Sequence, residues 1–368
     1  MVADLKAETR ESLEGLQGWS GRPLTFMEVC GTHTMSAARF GLRSLLPANI
    51  RLISGPGCPV CVTPVDYIDH ALALAKVPGL TLCTFGDLVR VPGSAAKGQD
   101  KAPPSLQGAK ASGADVRVVY SPTDALNLAR ESPKSEVVFL SVGFETTTPT
   151  IAATVLRARS EGLENFSILV ANKTIPEPMR TLATAPELGL DGYLCPGHVS
   201  IVLGPEVFEP IARELKVPCA IAGFELVEIL RGIQALVRQV EAGESRVDNC
   251  YPYAVKAGGN PRARAMVDEV FEPADSRWRG LGMLPNSGLK VREELARFDA
   301  ALRFEVEVLP AVEPKGCRCG EVLRGLIDPL ECGLFGTRCT PDAPRGACMV
   351  SSEGSCAARY HYSEGDWR

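Results

Sequence analysis

Over the first 250 residues, short apolar runs alternate with segments whose apolar positions recur at helical spacing. The runs at 24–29, 50–54 and 79–84 are typical of buried strands. Between the last two, apolar residues at 65, 68, 71, 72 and 75 predict a helix over 63–76. Thr63 suits its N-cap and Pro64 its first position. Residues up to about 20 are predicted to form one amphipathic helix.

The same alternation continues after residue 115. It predicts further strands at 115–120, 136–142, 166–171, 192–194 and 217–222. It also predicts helices at 122–130, 148–160, 176–184, 205–215 and 226–241. Strands and helices that alternate in this way indicate parallel sheets covered by helices on both faces.

Three motifs of the first series recur, in the same order, in the second. Residues 26–34 resemble 139–147, 55–60 resemble 194–199, and 85–89 resemble 223–227. We therefore predict an α/β protein with two similar Rossmann-like parallel-sheet domains that face a central cleft. The predicted divisions are an N-terminal helix at 1–20, α/β domains at 21–114 and 115–250, and a smaller C-terminal domain at 251–368. That last domain is expected to be mostly helical or loop, with helices at 262–272 and 289–299.

Polar side chains stand where the predicted strands end. Open parallel sheets bind ligands beyond the carboxyl ends of their strands, so these positions form a candidate site. Its members are Cys30, His33, Cys58, Cys61, Asp87, Glu145 and His198.

A Cys-Pro-Val-Cys motif at 58–61 lies in a Gly/Pro turn between a predicted strand and the helix at 63–76. The N-terminal end of a helix favours thiolate over thiol, and the thiolate attacks disulfides and binds metals. The turn is expected to present both thiols outward. The motif alone fits a redox pair, half of a zinc site, or two unrelated thiols.

The other strand-end residues each allow more than one interpretation. Cys30 and His33 suit a nucleophile with its base, two iron ligands, or a buried thiol with a surface imidazole. Asp87 and Glu145 suit groups that orient a histidine, accept a proton or bind an amine, although Asp87 also suits a turn cap. Four cysteines in or near apolar strands are predicted to be inert; they are Cys83, Cys195, Cys219 and Cys250.

The C-terminal segment is dense in cysteine. Six of the 13 cysteines fall within its last 52 residues, at Cys317, Cys319, Cys332, Cys339, Cys348 and Cys356. An iron–sulfur cluster needs four thiolates that converge from loops, and a structural zinc ion also takes four ligands. The spacing favours an iron–sulfur cluster, with zinc or disulfides as the alternatives, and leaves two cysteines that could form a redox disulfide.

Composition narrows the function classes. Aromatic residues are only 6% of the chain against 45% hydrophobic residues, which predicts an aliphatic core. A net charge of −5 argues against a nucleic-acid surface, and no apolar stretch has the length of a membrane span. With no signal segment apparent, we expect a cytoplasmic protein whose cysteines do metal or redox chemistry.

Taken together, these motifs resemble those of the HypD family of hydrogenase-maturation proteins, over nearly the whole chain. The matching blocks are Cys-Gly-Thr-His at 30–33, Gly-Pro-Gly-Cys-Pro-Val-Cys at 55–61, Phe-Gly-Asp at 85–87, Gly-Phe-Glu-Thr-Thr at 143–147, Pro-Gly-His-Val-Ser at 196–200 and the tail at 315–356. The family pattern Cys-x14-Cys-x6-Cys-x16-Cys matches the spacing of four tail cysteines. The resemblance implies that these four, Cys317, Cys332, Cys339 and Cys356, ligate a [4Fe-4S] cluster.

The resemblance also implies a function. Cys319 and Cys348 would form a redox pair beside the cluster, as in ferredoxin:thioredoxin reductase. The protein would be a scaffold on which the Fe(CN)2CO unit of [NiFe]-hydrogenase is assembled with the small chaperone HypC, while HypE delivers cyanide. Cys30 would bind the iron, and Cys58 and Cys61 would cycle between dithiol and disulfide and help to reduce or hold it.

In this interpretation His33, Glu145 and His198 position cyanide or protons. Two other classes stay open. A stand-alone thiol–disulfide oxidoreductase would turn over generic disulfides without HypC. A zinc-stabilised binding module would be colourless and would do no electron chemistry.

Overall fold

A computed structural model describes residues 2–94 and 104–362 of the chain. Two parallel sheets and one antiparallel hairpin organise it. The strands are β1 (Leu24–Glu28), β2 (Ile50–Ser54), β3 (Leu80–Thr84), β4 (Val116–Val118), β5 (Glu136–Ser141), β6 (Phe166–Val170), β7 (Gly192–Pro196), β8 (Cys219–Ala222), β9 (Val247–Asn249), β10 (Phe271–Trp278) and β11 (Gly282–Val291).

Helices connect and cover these strands. They are α1 (Val2–Gln17), α2 (Gly31–Arg39), α3 (Leu42–Leu45), α4 (Pro59–Val62), α5 (Val65–Leu74), α6 (Leu106–Ala111), α7 (Pro122–Glu131), α8 (Thr148–Ser160), α9 (Pro176–Ala183), α10 (Gly197–Leu203), α11 (Glu209–Leu215), α12 (Leu226–Ala242), α13 (Pro261–Val270), α14 (Ala300–Arg303), α15 (Cys319–Leu323) and α16 (Ser355–Tyr362). Across the described residues, no helix combines the length and the apolar character needed to cross a membrane.

Sheet A has the strand order β2-β1-β7-β8-β9, and sheet B has the order β4-β3-β5-β6. Every pairing within both sheets is parallel. The predicted α/β class with two parallel sheets is therefore confirmed. In sheet A the register aligns Glu28 with Ser54 and with Leu194, so the segments that follow these strands meet at one edge.

The two sheets do not follow the predicted boundary between residues 114 and 115. Sheet A takes β1 and β2 from the first predicted domain and β7, β8 and β9 from the second, while β3 joins sheet B. Parallel strands need long crossover connections, and periodicity along the chain does not state which distant strands pair. Two similar consecutive halves are therefore the wrong description of these sheets.

The segment after 250 also differs from its prediction. Residues 289–299 were expected to be a helix, but β11 extends to Val291 and a 3₁₀ helix follows at Glu293–Phe298. The hairpin of β10 and β11 packs on sheet B, since Phe271 and Val291 share a buried cluster with Cys83 and Phe139.

The cysteine-rich tail, which we define as residues 317–356, has no separate core. Five of its six cysteines are buried in the same apolar cluster as residues of both sheets, such as Met27 and Leu140. Gly325 lies against Met27 and Ile53, where a Cβ would be 2.9 Å from the Ile53 Cδ1 atom. The tail thus packs directly on sheet A.

Candidate functional site

Cys30 lies two residues after the end of β1 and is the N-cap residue of α2. Its Gly31 N–H donates to the Gly57 carbonyl at 2.9 Å, which joins the end of β1 to the turn after β2. A Cβ on Gly57 would lie 2.5 Å from the Cys30 Cα, so only glycine fits there. This close approach places the Cys30 thiol beside the Cys-Pro-Val-Cys turn.

Burial is the main property of the Cys30 thiol, which is 8% exposed. Desolvation raises its pKa to about 12, and the nearby Glu353 carboxylate acts in the same direction. The backbone N–H groups of Thr32 and His33 favour the thiolate but do not outweigh burial. The free thiol is therefore protonated at neutral pH, and a bound cation would be needed to hold it as thiolate.

Glu28, at the end of β1, accepts hydrogen bonds from the residues that begin α2. Its carboxylate accepts from the Cys30 N–H at 3.2 Å and from the Thr34 hydroxyl at 2.6 Å. Complete burial raises the pKa of Glu28 to about 7 in spite of these bonds. The sequence pattern did not single out this residue, because it lies inside a predicted strand.

Cys58 and Cys61 form a disulfide with a Cα–Cα distance of 5.2 Å. Both are buried, at 3% and 0% exposure, so the expectation that the turn presents them outward is wrong. The predicted helix start is also corrected. The disulfide encloses the single turn α4, and α5 begins only at Val65, after Pro64. Pro64 restricts the residue before it to an extended backbone, and this separates the two helices.

His33 and His198 come together on the ring of Phe224, which follows β8. Their ring centroids lie 4.9 Å and 4.0 Å from that of Phe224. His33 Nε2 donates to the Gly223 carbonyl at 2.8 Å. Burial lowers the pKa of His33 to about 4, so the ring is neutral and its Nδ1 lone pair is free. Within the described residues, Nδ1 is buried without a hydrogen-bond partner.

A residue of the tail reaches the same place. The Thr32 hydroxyl donates to Glu353 Oε1 at 2.9 Å, and a Cβ on Gly31 would lie 2.8 Å from Oε2. Burial raises the pKa of Glu353, and the charge of Asp87 raises it further. Glu353 and Asp87 therefore bring carboxylates from the tail and from the end of β3 toward Cys30. Glu353 was not predicted, since nothing in its local sequence places it near residues 30–33.

Glu145 lies at the end of sheet B and makes different contacts. Its Oε1 accepts from the Ile175 N–H at 2.9 Å, and within the described residues its buried Oε2 has no partner. Burial raises its pKa to about 7. Nearby, the buried Lys173 ammonium donates to Ser276 Oγ at 2.6 Å and to the Arg277 carbonyl at 2.7 Å, which ties sheet B to the hairpin.

The tail cysteines converge. The Cys348 thiol donates to Cys356 Sγ at 3.1 Å, and the Cys317, Cys319 and Cys348 thiols are close enough to shift one another's pKa. The remaining two, Cys332 and Cys339, lie within electrostatic range of Cys317. Among the described residues, no group of three or more His, Cys, Asp or Glu side chains has the arrangement of a metal site. The donor set nevertheless fits an iron–sulfur cluster in kind and number, because six sulfur atoms converge from loops and short helical turns.

The disulfide lies against this tail. Cys61 Sγ is 3.9 Å from the carbonyl oxygen of Ala347, the residue before Cys348. The 3₁₀ turn at Ala347–Met349 packs on α4. The structure therefore places the Cys58–Cys61 disulfide between Cys30 on one side and the tail cysteines on the other.

The fold thus groups most of the predicted site residues in one place. Cys30, His33, Cys58, Cys61 and His198 lie at the carboxyl edge of sheet A, with Asp87 reaching them through Glu353. Glu145 makes no contact with that group that the structure records. The predicted inert cysteines Cys83, Cys195 and Cys219 are fully buried.

Fold and site together define an α/β protein with a buried disulfide held between a free thiol and a cysteine-rich tail. Comparison with known proteins identifies the class further. The model of the HypD family, described as "Hydrogenase formation hypA family", matches residues 5–363. The chain therefore belongs to the HypD family, and its role is in hydrogenase maturation.

Curated relatives match over almost their full length. The hydrogenase maturation factor HypD of Azotobacter vinelandii is 47% identical over 93% of this chain and 90% of its own. That of Cupriavidus necator is 47% identical over 98% of this chain and 93% of its own. The Escherichia coli factor is 44% identical over 99% and 95%.

Proposed function

We propose that this protein is the scaffold and redox partner on which the Fe(CN)2CO unit of [NiFe]-hydrogenase is assembled. The iron is cargo rather than a resident cofactor, and Cys30 supplies the thiolate that holds it. A HypC-type chaperone shares the iron and a HypE-type protein donates cyanide. The single observation that carries this proposal is the position of the Cys58–Cys61 disulfide, between Cys30 and the tail cysteines.

Cys30 suits the transient binding of iron because its thiol stays protonated while no cation is bound. A thiol whose pKa is raised to about 12 stays uncharged and unreactive until a cation replaces the proton. Ferrous iron accepts thiolate, imidazole and carboxylate ligands, and His33, Glu353 and Asp87 supply these types nearby. The neutral His33 ring keeps its Nδ1 lone pair available to a cation at this place, and His198 lies on the same aromatic ring.

Four tail cysteines would hold a [4Fe-4S] cluster: Cys317, Cys332, Cys339 and Cys356. When bound, such a cluster supplies single electrons at low potential. Cys319 and Cys348 remain as a dithiol between these ligands and the disulfide. Cys58 and Cys61 take electrons from that dithiol and return to the reduced state, in which they support the iron at Cys30. Glu145, with its free Oε2 and raised pKa, is the proton-accepting group at the end of sheet B.

The first experiment is anaerobic purification of the full chain, followed by a visible absorption spectrum and iron, sulfide and zinc analysis. A single [4Fe-4S] cluster requires about four iron and about four sulfide per chain, with a brown colour. One zinc per colourless chain would overturn the redox proposal and favour the zinc-stabilised binding module.

A second experiment tests the cargo. Infrared spectroscopy of the chain co-purified with a HypC-type chaperone from cells that carry the other maturation proteins is expected to show cyanide and CO stretching bands, and Cys30→Ser is expected to remove them. Cys250→Ser is the matched control, because Cys250 is a half-buried free thiol that the proposal does not use. Rapid reduction of generic disulfides without the chaperone, and no such bands, would favour the stand-alone oxidoreductase.

A further inference from the structure

Arg279, in the turn of the β10–β11 hairpin, is a buried cation that the proposed function does not use. It is 3% exposed, and among the described residues its ion-pair partner is Glu313, with Nη1 3.2 Å from Oε2. The Glu313 side chain is 57% exposed, so this pair is screened by water. Within the described residues, the buried Nη2 has no hydrogen-bond partner. A buried guanidinium with a free donor is costly unless an anion comes to it.

The contacts of Arg279 place it beside the Cys58–Cys61 disulfide. Its backbone N–H donates to the Val62 carbonyl at 2.9 Å, and its Nε donates to the Thr63 carbonyl at 3.1 Å. These are the two residues directly after Cys61. Arg279 therefore holds the end of α4, and with it one side of the disulfide.

The same turn also packs on the tail. Gly280 adopts φ +83°, and a Cβ there would lie 2.6 Å from the Gly320 Cα, next to Cys319. The three-residue turn at 279–281 thus touches both the disulfide unit and the residue after the first cysteine of the tail dithiol.

We propose that Arg279 positions the Cys58–Cys61 disulfide for exchange with the tail dithiol, and that its free Nη2 stabilises the negative charge that exchange carries on sulfur. This inference rests on the proposed function. In the exchange, one tail thiolate attacks the disulfide and a mixed disulfide forms as the Cys58–Cys61 bond breaks. The second tail thiol then forms the Cys319–Cys348 bond, and both electrons and protons end on Cys58 and Cys61. One sulfur anion is present from the attacking thiolate to the leaving thiolate.

The test uses the full chain, purified anaerobically and oxidised at Cys58–Cys61. After a pulse of limiting dithiothreitol, isotope-coded alkylation and peptide mass spectrometry follow both cysteine pairs over time. Arg279→Met is expected to slow exchange between the two cysteine pairs at least tenfold, since it removes both the side-chain hydrogen bond to the Thr63 carbonyl and the positive charge. Arg279→Lys keeps the charge and is expected to recover part of the rate. Reduction of the Cys58–Cys61 disulfide in excess dithiothreitol should change less than threefold.

Two further variants keep the test decisive. Arg277→Met is the matched control, because Arg277 lies in the same hairpin with its side chain 60% exposed, and its exchange rate should equal that of the wild type. Gly320→Ala forces the turn away from Cys319 while leaving Arg279 intact, and should also slow exchange. It replaces Arg279→Met if that variant fails to fold by circular dichroism.

The outcomes separate the two proposals. If both Arg279→Met and Gly320→Ala exchange at the wild-type rate, the inference about Arg279 is wrong and the proposed function is untouched. If the wild-type pairs themselves never exchange, the redox part of the proposed function fails, whatever Arg279 does. A lower melting temperature with unchanged exchange would reduce Arg279 to a stabilising residue.

Discussion

The carboxyl ends of the two sheets carry similar sequence motifs but have different structures. At sheet A, Cys30 and His33 keep a free thiol and a free ring nitrogen beside the disulfide. At sheet B, Glu145 is bonded to the Ile175 backbone, and Lys173 is bonded to the β10–β11 hairpin. The strands of the hairpin cover the end of sheet B and its turn reaches α4, while the tail covers the end of sheet A.

This difference shows what a strand-end motif predicts. A side chain that follows a parallel strand lies at the carboxyl edge of the sheet. The segment that covers this edge decides which groups the side chain contacts, and therefore whether it stays free to react. The tail brings sulfur and carboxylate to sheet A, and the hairpin brings hydroxyl and carbonyl groups that hold Lys173 at sheet B. Four predictions test this contrast.

The largest effect is expected at sheet A. Cys58→Ser or Cys61→Ser should abolish hydrogenase maturation in cells, because neither variant can form the disulfide, while circular dichroism should show a folded chain. Cys250→Ser is the control and should support maturation. Wild-type hydrogenase activity in either of the first two variants would refute the redox role of this pair.

A second prediction compares the packing of glycine at the two ends. Gly57→Ala should destabilise the protein by about 3 kcal/mol, since its Cβ meets the Cys30 backbone, which cannot move without β1. Gly86→Ala, at the end of β3, should change stability by less than about 0.5 kcal/mol, because the nearest atom to its Cβ is 3.7 Å away. Urea unfolding measures both, and equal losses would remove the contrast.

A third prediction concerns pH at sheet B. The pKa of Glu145 is raised to about 7, so the folded state binds more protons than the unfolded state between pH 4.5 and 7. This contribution is favourable at low pH and is lost as pH rises through that window, by up to about 3 kcal/mol. Glu145→Gln should therefore be more stable than the wild type at pH 8 and similar at pH 4.5. An unchanged pH slope would contradict this.

The fourth and smallest effect is at sheet A, where the pH dependence of stability due to His33 has the opposite sign to that of Glu145. The pKa of His33 is lowered to about 4, so the unfolded state binds more protons than the folded state between pH 4 and 6.5. Stability from the neutral ring is present above pH 6.5 and falls by about 2 kcal/mol by pH 5. His33→Gln should lose this dependence while keeping a donor for the Gly223 carbonyl. Unfolding free energies at pH 5 and 7 measure it, and a slope equal to the wild type would show that His33 is not buried neutral.

Much of the secondary structure could be predicted from local pattern. Strands at 24–29, 50–54 and 166–171 match β1, β2 and β6 closely, since an apolar run between turn residues has few other stable forms. The hairpin was missed because Pro273 and Pro285 interrupt its alternation, and because two-stranded ribbons depend on packing more than on propensity.

The site divides in the same way. Cys30, His33, Cys58, Cys61 and His198 could be predicted because each follows a recognisable strand within a turn motif. Glu353 and Arg279 could not, since each reaches the site from a segment hundreds of residues away, through hydrogen bonds to Thr32 and to Val62 and Thr63.

The amino-acid sequence by itself determined the α/β class, the order of the motifs and membership of the HypD family. These depend on periodicity, turn chemistry and the spacing of cysteines, all of which are local. Tertiary structure alone decided that β3 leaves the first series for sheet B, that the disulfide is buried between Cys30 and the tail, and which end of the molecule is covered by the hairpin. Those outcomes depend on which distant apolar surfaces pack against each other. The hydrophobic effect is non-directional, so a local pattern of apolar residues does not specify their partners.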